Sequence, residues 1–422
     1  MAITKSKLGT VQRMPVTLAL MALIVLALSY VVNAMDRQVF PVLVPTIDKT
    51  FHFTLPQGGL LSTIFTLGIG VAGIPAGFLL DKLTRKSVIL IGILVYSAFT
   101  LLTAASTGFG DMLIYRAGSG IGEALQNAAL FSAVGAYFYK NRGLALGTLN
   151  FAYGLGGFFG PLFGGKMLVH SGWKTPFLVY GIIGLVFFVA ILFAISNNLT
   201  EHEEVKEVQT GSVDHIPGRV WNRNIVIGLI TAVVVGMSMY GFLGLYPTFL
   251  IKHLGYSPTQ ASFSLSMFGL GALMGIPAGY IGDVLRQKWV IIVSLVCGMI
   301  VGYSLFDVVT QPGMQALFSF LEGMFGSGFL FVNTYALMQR SVRPEKVGRA
   351  SGIFVTALYL PSSLAGYLFA ALVGSVGWGG AGLVQLTLMP IIGIVAMAFL
   401  NEKQVLVPRK AGTSSITTAG HM

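Results

Sequence analysis

The stretch Gly73-Ile74-Pro75-Ala76-Gly77 recurs, letter for letter, as Gly275-Ile276-Pro277-Ala278-Gly279, 202 residues further along a chain of 422. The same offset carries Asp81 onto Asp283 and Lys86 onto Lys288. In both copies an apolar segment runs through the pentapeptide, meets a short charged turn and resumes as another apolar segment. Two parallel copies of one hydrophobic half fold as two like bundles, and a binding site is then expected at their interface.

Composition places those halves in a bilayer. Apolar residues make up 55% of the chain and charged residues only 10%, with a mean hydropathy of +0.80. A soluble chain of this length needs far more charge to cover its surface. A bilayer-spanning helix takes roughly 20 mostly apolar residues. Twelve such runs are present, at about 16–40, 57–80, 87–106, 111–137, 143–168, 174–197, 223–250, 258–281, 289–309, 313–338, 348–373 and 378–400. The expected fold class is an all-α integral membrane protein, twelve transmembrane helices in two pseudo-symmetric six-helix halves. Residues 1–197 form the first half, 198–222 an acidic linker, 223–403 the second half and 404–422 a Ser/Thr/Gly-rich disordered tail.

A net charge of +11 raises the question of nucleic acid, and its distribution answers it. Lys5, Lys7, Arg13, Lys82, Arg85, Lys86, Lys140, Arg142, Lys206, Arg219 and Arg223 lie before the first helix or in alternate loops. Arg286, Lys288, Arg340, Arg343, Lys346, Arg349, Lys403, Arg409 and Lys410 continue the series, making 20 of the 26 basic residues. The other loops hold little more than Lys49, Lys174 and Lys252. Under the positive-inside rule both termini are cytoplasmic and the chain lies in the cell inner membrane. The expected partners are lipid and a small molecule, with no nucleic acid, and the protein is expected to be a monomer. The basic, then apolar, N-terminal segment reads as the uncleaved first helix because its apolar stretch is too long for a signal peptide. Cys297 is the only cysteine, which excludes a disulfide within the chain.

Glycines Gly73/Gly77, Gly156/Gly160/Gly164 and Gly271/Gly275/Gly279 stand four apart, the spacing that lets helices approach closely. Gly118-Ser119-Gly120-Ile121-Gly122 is no nucleotide loop, since no strand precedes it and the spacing is wrong. Asn198-Leu199-Thr200 matches a glycosylation sequon by chance, given its cytoplasmic side. No metal cluster, nucleophile triad or phosphate loop is present, so neither an enzyme nor a cofactor is expected.

The turn Gly77-x-x-x-Asp81-Lys82-x-x-Arg85-Lys86, with its counterpart Gly279-x-x-Gly282-Asp283-x-x-Arg286-x-Lys288, resembles the signature loop of the major facilitator superfamily. Together with twelve helices and the repeat, the resemblance covers essentially the whole chain. It implies alternating access and a conformational gate at Gly77, Asp81, Arg85, Asp283 and Arg286, in which the loop Asp pairs with an Arg and latches the outward-facing state. Asn33-Ala34-Met35-Asp36-Arg37 and Arg116-(x6)-Glu123-Ala124 resemble the anion:cation symporters of sugar acids and other organic anions. Gly120-Ile121-Gly122-Glu123-Ala124 is similar to spinster-like transporters, and Leu245-Tyr246-Pro247-x-Phe249-Leu250 resembles the organic-anion branch. The fifth-helix position where sugar-acid transporters carry Gln aligns with Tyr153, which argues against a polyhydroxylated substrate. Gly156-x-x-x-Gly160-Pro161-x-x-Gly164-Gly165 matches a motif of drug/proton antiporters and keeps export open.

Charges within a membrane segment cost on the order of 2.5–3.5 kcal/mol each at the helix centre and so point to function. Asp36, Arg37, Arg116, Glu123 and Glu322 are the candidates. Arg116 and Glu123 are seven apart, on one helix face and roughly 10 Å apart along the axis; Asn127 continues the stripe. Asp36 and Arg116 fall at similar depth, with Glu123 nearer the midplane. Arg116 is therefore expected to neutralise Asp36 or Glu123, leaving Arg37 free to clamp a carboxylate. Asp36 and Glu123 are the candidate proton carriers, with H+ as coupling ion: desolvation favours the protonated acid and a neighbouring Arg the ionised one. Tyr30 and Asn33 share a face with Arg37. Tyr153, Glu322 and Asn333 complete the candidate substrate site, the last two, eleven apart on the tenth helix, on its opposite wall. The alternative is a buried ion network that only fixes packing. The expected function is proton-coupled symport of a small organic anion; a proton-coupled exporter of drug-like or lipid-like compounds and a non-transporting sensor are the alternatives.

Overall fold

The computed structural model describes residues 14–138, 142–201 and 215–406. Lys5, Lys7, Arg13, Lys140 and Lys206, most of the acidic linker and the tail from 407 onward lie outside the described residues. Among the described residues the regular elements are all helical. The first half comprises α1 (Val16–Phe51), α2 (Leu55–Thr63), α3 (Phe65–Lys82), α4 (Arg85–Ala104), α5 (Phe109–Tyr137), α6 (Arg142–Ser171), α7 (Lys174–Ala194) and the short α8 (Asn197–Thr200). The second comprises α9 (Arg223–Lys252), α10 (Pro258–Ala272), α11 (Gly275–Val284), α12 (Gln287–Tyr303), α13 (Pro312–Glu322), α14 (Val332–Arg340), α15 (Val347–Ser362), α16 (Ala365–Gly382) and α17 (Met389–Ala398).

These pieces assemble into twelve bilayer crossings. Nine stretches among the described residues are long and apolar enough to span, and the one at Pro344–Ala398 contains two crossings. The glycine-rich α6 and α5, which carries Asp111, Arg116 and Glu123, complete the set. The second crossing is α2 joined to α3 at Ile64, and the eighth is α10 joined to α11. Both begin with the same device: Thr54 and Gln57 form a capping box at α2, Ser257 and Gln260 at α10. Each box satisfies helix-end N–H groups that lipid cannot.

The symmetry extends to packing. The α5 backbone at Gly120 abuts the carbonyl of Phe65, and Gly323 abuts that of Phe268. Lys86 Nζ donates to the carbonyls of Leu192 (2.9 Å) and Ile195 (2.7 Å) at the end of α7, and Lys288 Nζ donates to Ala398 O (3.0 Å) at the end of α17. A cation at the carbonyl end of a helix satisfies unpaired acceptors and complements the dipole. The repeated lysines thus close the last crossing of each half.

The expected gate residues divide. Asp283 pairs with Arg340 at the end of α14, and Arg340 also reaches Gly282 O at 3.4 Å. Arg286, expected in that role, is instead the exposed residue preceding α12. Arg85 is buried and donates to Ser132 Oγ (3.0 Å) and Thr200 O (3.1 Å), within its own half. Asp81 is exposed.

The two seams between the halves splay toward the face that carries the basic loops. Between α3 and α15, a methyl on Gly70 would lie 3.0 Å from Leu360 and on Gly73 3.3 Å from Val355. On Gly77, Gly348 or Gly352 it would meet nothing within 4 Å. Between α6 and α10, one on Gly157 would lie 3.1 Å from Gly269, whereas one on Gly147, nearer the basic end, meets nothing within 4 Å. The far face is closed. Thr63 Oγ1 donates to Ser363 O (2.9 Å), Gly366 N to Thr63 Oγ1 (3.4 Å), and Lys252 pairs with Asp48 at 3.1 Å. In a Cys297→Ser background, cysteines at Gly77 and Gly352 are expected to react readily with a water-soluble thiol reagent. Thr63→Cys is expected to be protected, and equal labelling of all three would refute this geometry.

Candidate functional site

Helix α1 carries Ser29, Asn33 and Arg37 at intervals of four, one stripe on one face. The stripe meets Gln126 and Glu123 of α5. Gln126 Nε2 donates to Ser29 Oγ (3.1 Å), and Asn33 Nδ2 donates to Gln126 Oε1 (2.8 Å). Arg37 Nη2 donates to Asn33 Oδ1 (3.3 Å), and Arg37 Nε donates to Glu123 Oε2 (2.8 Å). One turn further, Pro41 lacks the N–H that would bond the carbonyl of Arg37, so the helix ladder is interrupted beside the charged pair. Helix α5 is held in place from behind by α4: a methyl on Gly122 would lie 2.9 Å from Tyr96 Cα.

Asp36 projects to a second pair. Thr100 Oγ1 donates to Asp36 Oδ2 (2.7 Å), and Arg116 Nη1 lies 3.8 Å from the same oxygen. Asp36, Arg37, Arg116 and Glu123 are all buried, and their formal charges cancel. The hydrogen bonding is incomplete: among the described residues Asp36 Oδ1, Glu123 Oε1 and all three guanidinium nitrogens of Arg116 have no hydrogen-bond partner. Arg116 instead faces Phe40 (4.7 Å) and Phe65 (5.4 Å), and Arg37 faces Phe65 (5.8 Å) and Tyr153 (5.6 Å). Such cation–π contacts are worth about 0.5–2 kcal/mol each, too little to replace a guanidinium's hydrogen bonds.

This corrects one expectation. Arg37 is not free in this conformation, since it holds Glu123, and the buried guanidinium with open donors is Arg116. Tyr30 packs against Tyr153 (6.1 Å) and Phe131 (5.8 Å), and Tyr153 accepts from Gln38 Nε2 at 3.1 Å. Asn127 is half-buried next to Gln126 on α5, its Oδ1 without a partner. The second half contributes Tyr240 and Tyr359, whose rings lie 5.9 Å apart; Tyr240 meets Phe65 across the seam at 5.8 Å. Tyr153 faces Arg37 directly, and Tyr240 meets it through Phe65, whose ring lies against both.

Glu322 and Asn333 do not form the opposite wall. A π-helical stretch, Gly323–Phe331, lies between them, so the 3.6-residue period that would put them on one face does not hold. Glu322 borders a cavity inside the second half, and Asn333 Nδ2 ties Ala278 O (3.2 Å) to Phe329 O (3.0 Å). Tyr246 likewise turns inward, donating to Gln315 Oε1 at 2.9 Å. The expected site took in Asn33 and Asn127 but not Ser29, Gln38, Thr100 or Gln126. Uncharged polar residues in apolar segments are their signal, for the same desolvation reason. Tyr240 and Tyr359 carry no such signal, because a tyrosine in a membrane helix also serves as an anchor or packing residue.

Twelve crossings, two like halves and a buried charge network at their seam define a multi-pass membrane transporter. The Major Facilitator Superfamily model matches residues 26–366 and 228–419, and the chain belongs to that family. The probable L-galactonate transporter of Escherichia coli K12 is 24% identical over 92% of this chain and 90% of that protein. The cis,cis-muconate transport protein of Acinetobacter baylyi is 22% identical over 89% and 93%. A bacterial homolog of the human lysosomal transporter Spinster, crystallised in an inward-facing, unoccupied conformation, shares the fold. Its TM-score is 0.71 at 18% identity, over 90% of this chain and 92% of that one.

The network makes a stability prediction. Arg37→Gln leaves Glu123 without its counter-ion, so that it must stay buried as a bare charge or take up a proton, and is expected to cost up to about 3–5 kcal/mol. Adding Glu123→Gln should recover most of that loss. Thermal unfolding of the purified variants measures both, and additive losses would show that the two side chains are not coupled.

Proposed function

We propose that this protein is a proton-coupled symporter of a small organic carboxylate, with the basic face cytoplasmic, in the cell inner membrane and as a monomer. The observation that carries the reading is the buried 2.8 Å contact between Arg37 Nε and Glu123 Oε2. For Arg37 to grip a carboxylate through its planar fork, that contact must open. A proton on Glu123 removes the charge that holds Arg37, so proton and anion binding favour each other. Without the proton, Glu123 occupies the same donor that the substrate needs. Asp36, held by Thr100 and beside Arg116, is the second candidate proton site. Two protons with one monoanion would make uptake electrogenic, worth about 2.3 kcal/mol per 100 mV for each charge moved.

The seam around Arg37 favours a substrate with a flat, unsaturated or aromatic body. Phe65, Tyr153, Tyr240 and Tyr359 offer π-faces around the cation, where a polyol would need a dense set of hydrogen-bond partners. The two relatives fit an organic acid as cargo: their names specify a sugar acid and an unsaturated dicarboxylate. A thermal-shift screen across aromatic acids, unsaturated dicarboxylates and sugar acids tests the class, because a ligand of the folded state raises its melting temperature. The expected ranking places flat carboxylates first, and stabilisation by sugar acids alone would overturn it.

Glu123→Gln mimics the protonated acid. In proteoliposomes it is expected to exchange substrate across the membrane and to lose accumulation driven by a pH gradient. Arg37→Lys keeps the charge and is expected to weaken binding at least tenfold, because ammonium lacks the fork. Normal gradient-driven uptake by Glu123→Gln would move proton coupling to another residue. Unchanged affinity in Arg37→Lys would return Arg37 to a packing role.

A further inference from the structure

Glu322 stands apart from the other intramembrane charges. It is the last residue of α13, buried where the helix widens into its π-helical stretch. Among the described residues it forms no hydrogen bond or ion pair, and its Oε2 is enclosed without a partner. By the match of Gly323 to Gly120, its counterpart in the first half is Ser119, whose hydroxyl donates to Arg116 O at 2.9 Å within its own helix. A carboxylate is therefore not what helix packing requires at this place.

The side chain borders a cavity enclosed by Ser238 and Met239 of α9, Leu295 and Gly298 of α12, and Leu386 and Pro390 near the start of α17. The cavity has room for about one water molecule. Among the described residues Glu322 is the one titratable side chain lining it, and no cationic side chain lines it from α9, α12, the π-helical stretch or the last crossing, nor does α10 (Pro258–Ala272), which packs against α13, carry one. Ser238 is the other polar side chain, and its hydroxyl is committed to Gln385 O at 2.8 Å. Two side-chain oxygen ligands in an apolar wall are too few to coordinate a metal cation. A charge without a counter-ion is strongly disfavoured there. The smallest cation meets every one of these limits.

We propose that Glu322 is a proton-binding site of the second half, separate from the charge-balanced network of Asp36, Arg37, Arg116 and Glu123. Its proton exchanges with water admitted to the small cavity. The two halves then differ in kind: in the first, protonation breaks an ion pair, and in the second it neutralises a lone acid. The site does not depend on the identity of the transported molecule, and its test needs no substrate.

Infrared difference spectroscopy of the full chain in lipid vesicles, stepped through pH, reads protonated carboxyl groups by their C=O stretch. Wild type is expected to show a band that shrinks as pH rises. Glu322→Gln should delete that band and Glu123→Gln should leave it in place. Glu322→Asp keeps a shortened acid and should move the band, which decides the matter if Glu322→Gln does not fold. A spectrum unchanged by Glu322→Gln, or a band at Glu322 that ignores pH, would overturn the assignment.

Discussion

The fold is organised around a charge that has nowhere else to go. Arg37 sits deep in a segment that must cross lipid, and a guanidinium there is tolerable only with an anion against it. Glu123 supplies that anion at 2.8 Å, and the requirement fixes the mutual rotation of α1 and α5. The glycine faces of α5 let α3 and α4 pack closely against it. A pair of this kind stabilises little on balance, since desolvation consumes most of the Coulomb energy. On the proton-coupled reading proposed above, its value lies in being breakable by one proton.

The second pair is looser. Asp36 and Arg116 are 3.8 Å apart, and among the described residues none of the guanidinium nitrogens of Arg116 has a hydrogen bond. Phe65 lies against both arginines and reaches Tyr240 of the other half. Phe65 thereby links the charge network to the seam between the halves. At the far face the closed seam is held by Asp48 and Lys252 and by Thr63 against Ser363. At the basic face a methyl on Gly77 or Gly352 would meet nothing within 4 Å. The seam is thus closed at one face and open toward the face that carries the basic loops.

What the sequence determined by itself is whatever depends on local chemistry repeated along the chain. Hydropathy specifies the crossings because lipid denies the backbone any partner outside its own helix. The 202-residue repeat specifies two like halves, down to the lysines that cap α7 and α17. The desolvation cost of charge singled out Asp36, Arg37, Arg116 and Glu123, and these four do gather at one place. Tertiary structure alone decided the partners. Asp36 and Arg37 are neighbours in sequence and point to different residues of α5, and helix rotation, which no linear pattern encodes, chooses between them. Glu322 and Asn333 left the seam because a π-helical stretch changes the period on which face assignments rest. Tyr240 reaches the site because α3 and α9, helices of separate bundles, converge and bring Phe65 against a ring 175 residues further along the chain, and Tyr359 packs on Tyr240.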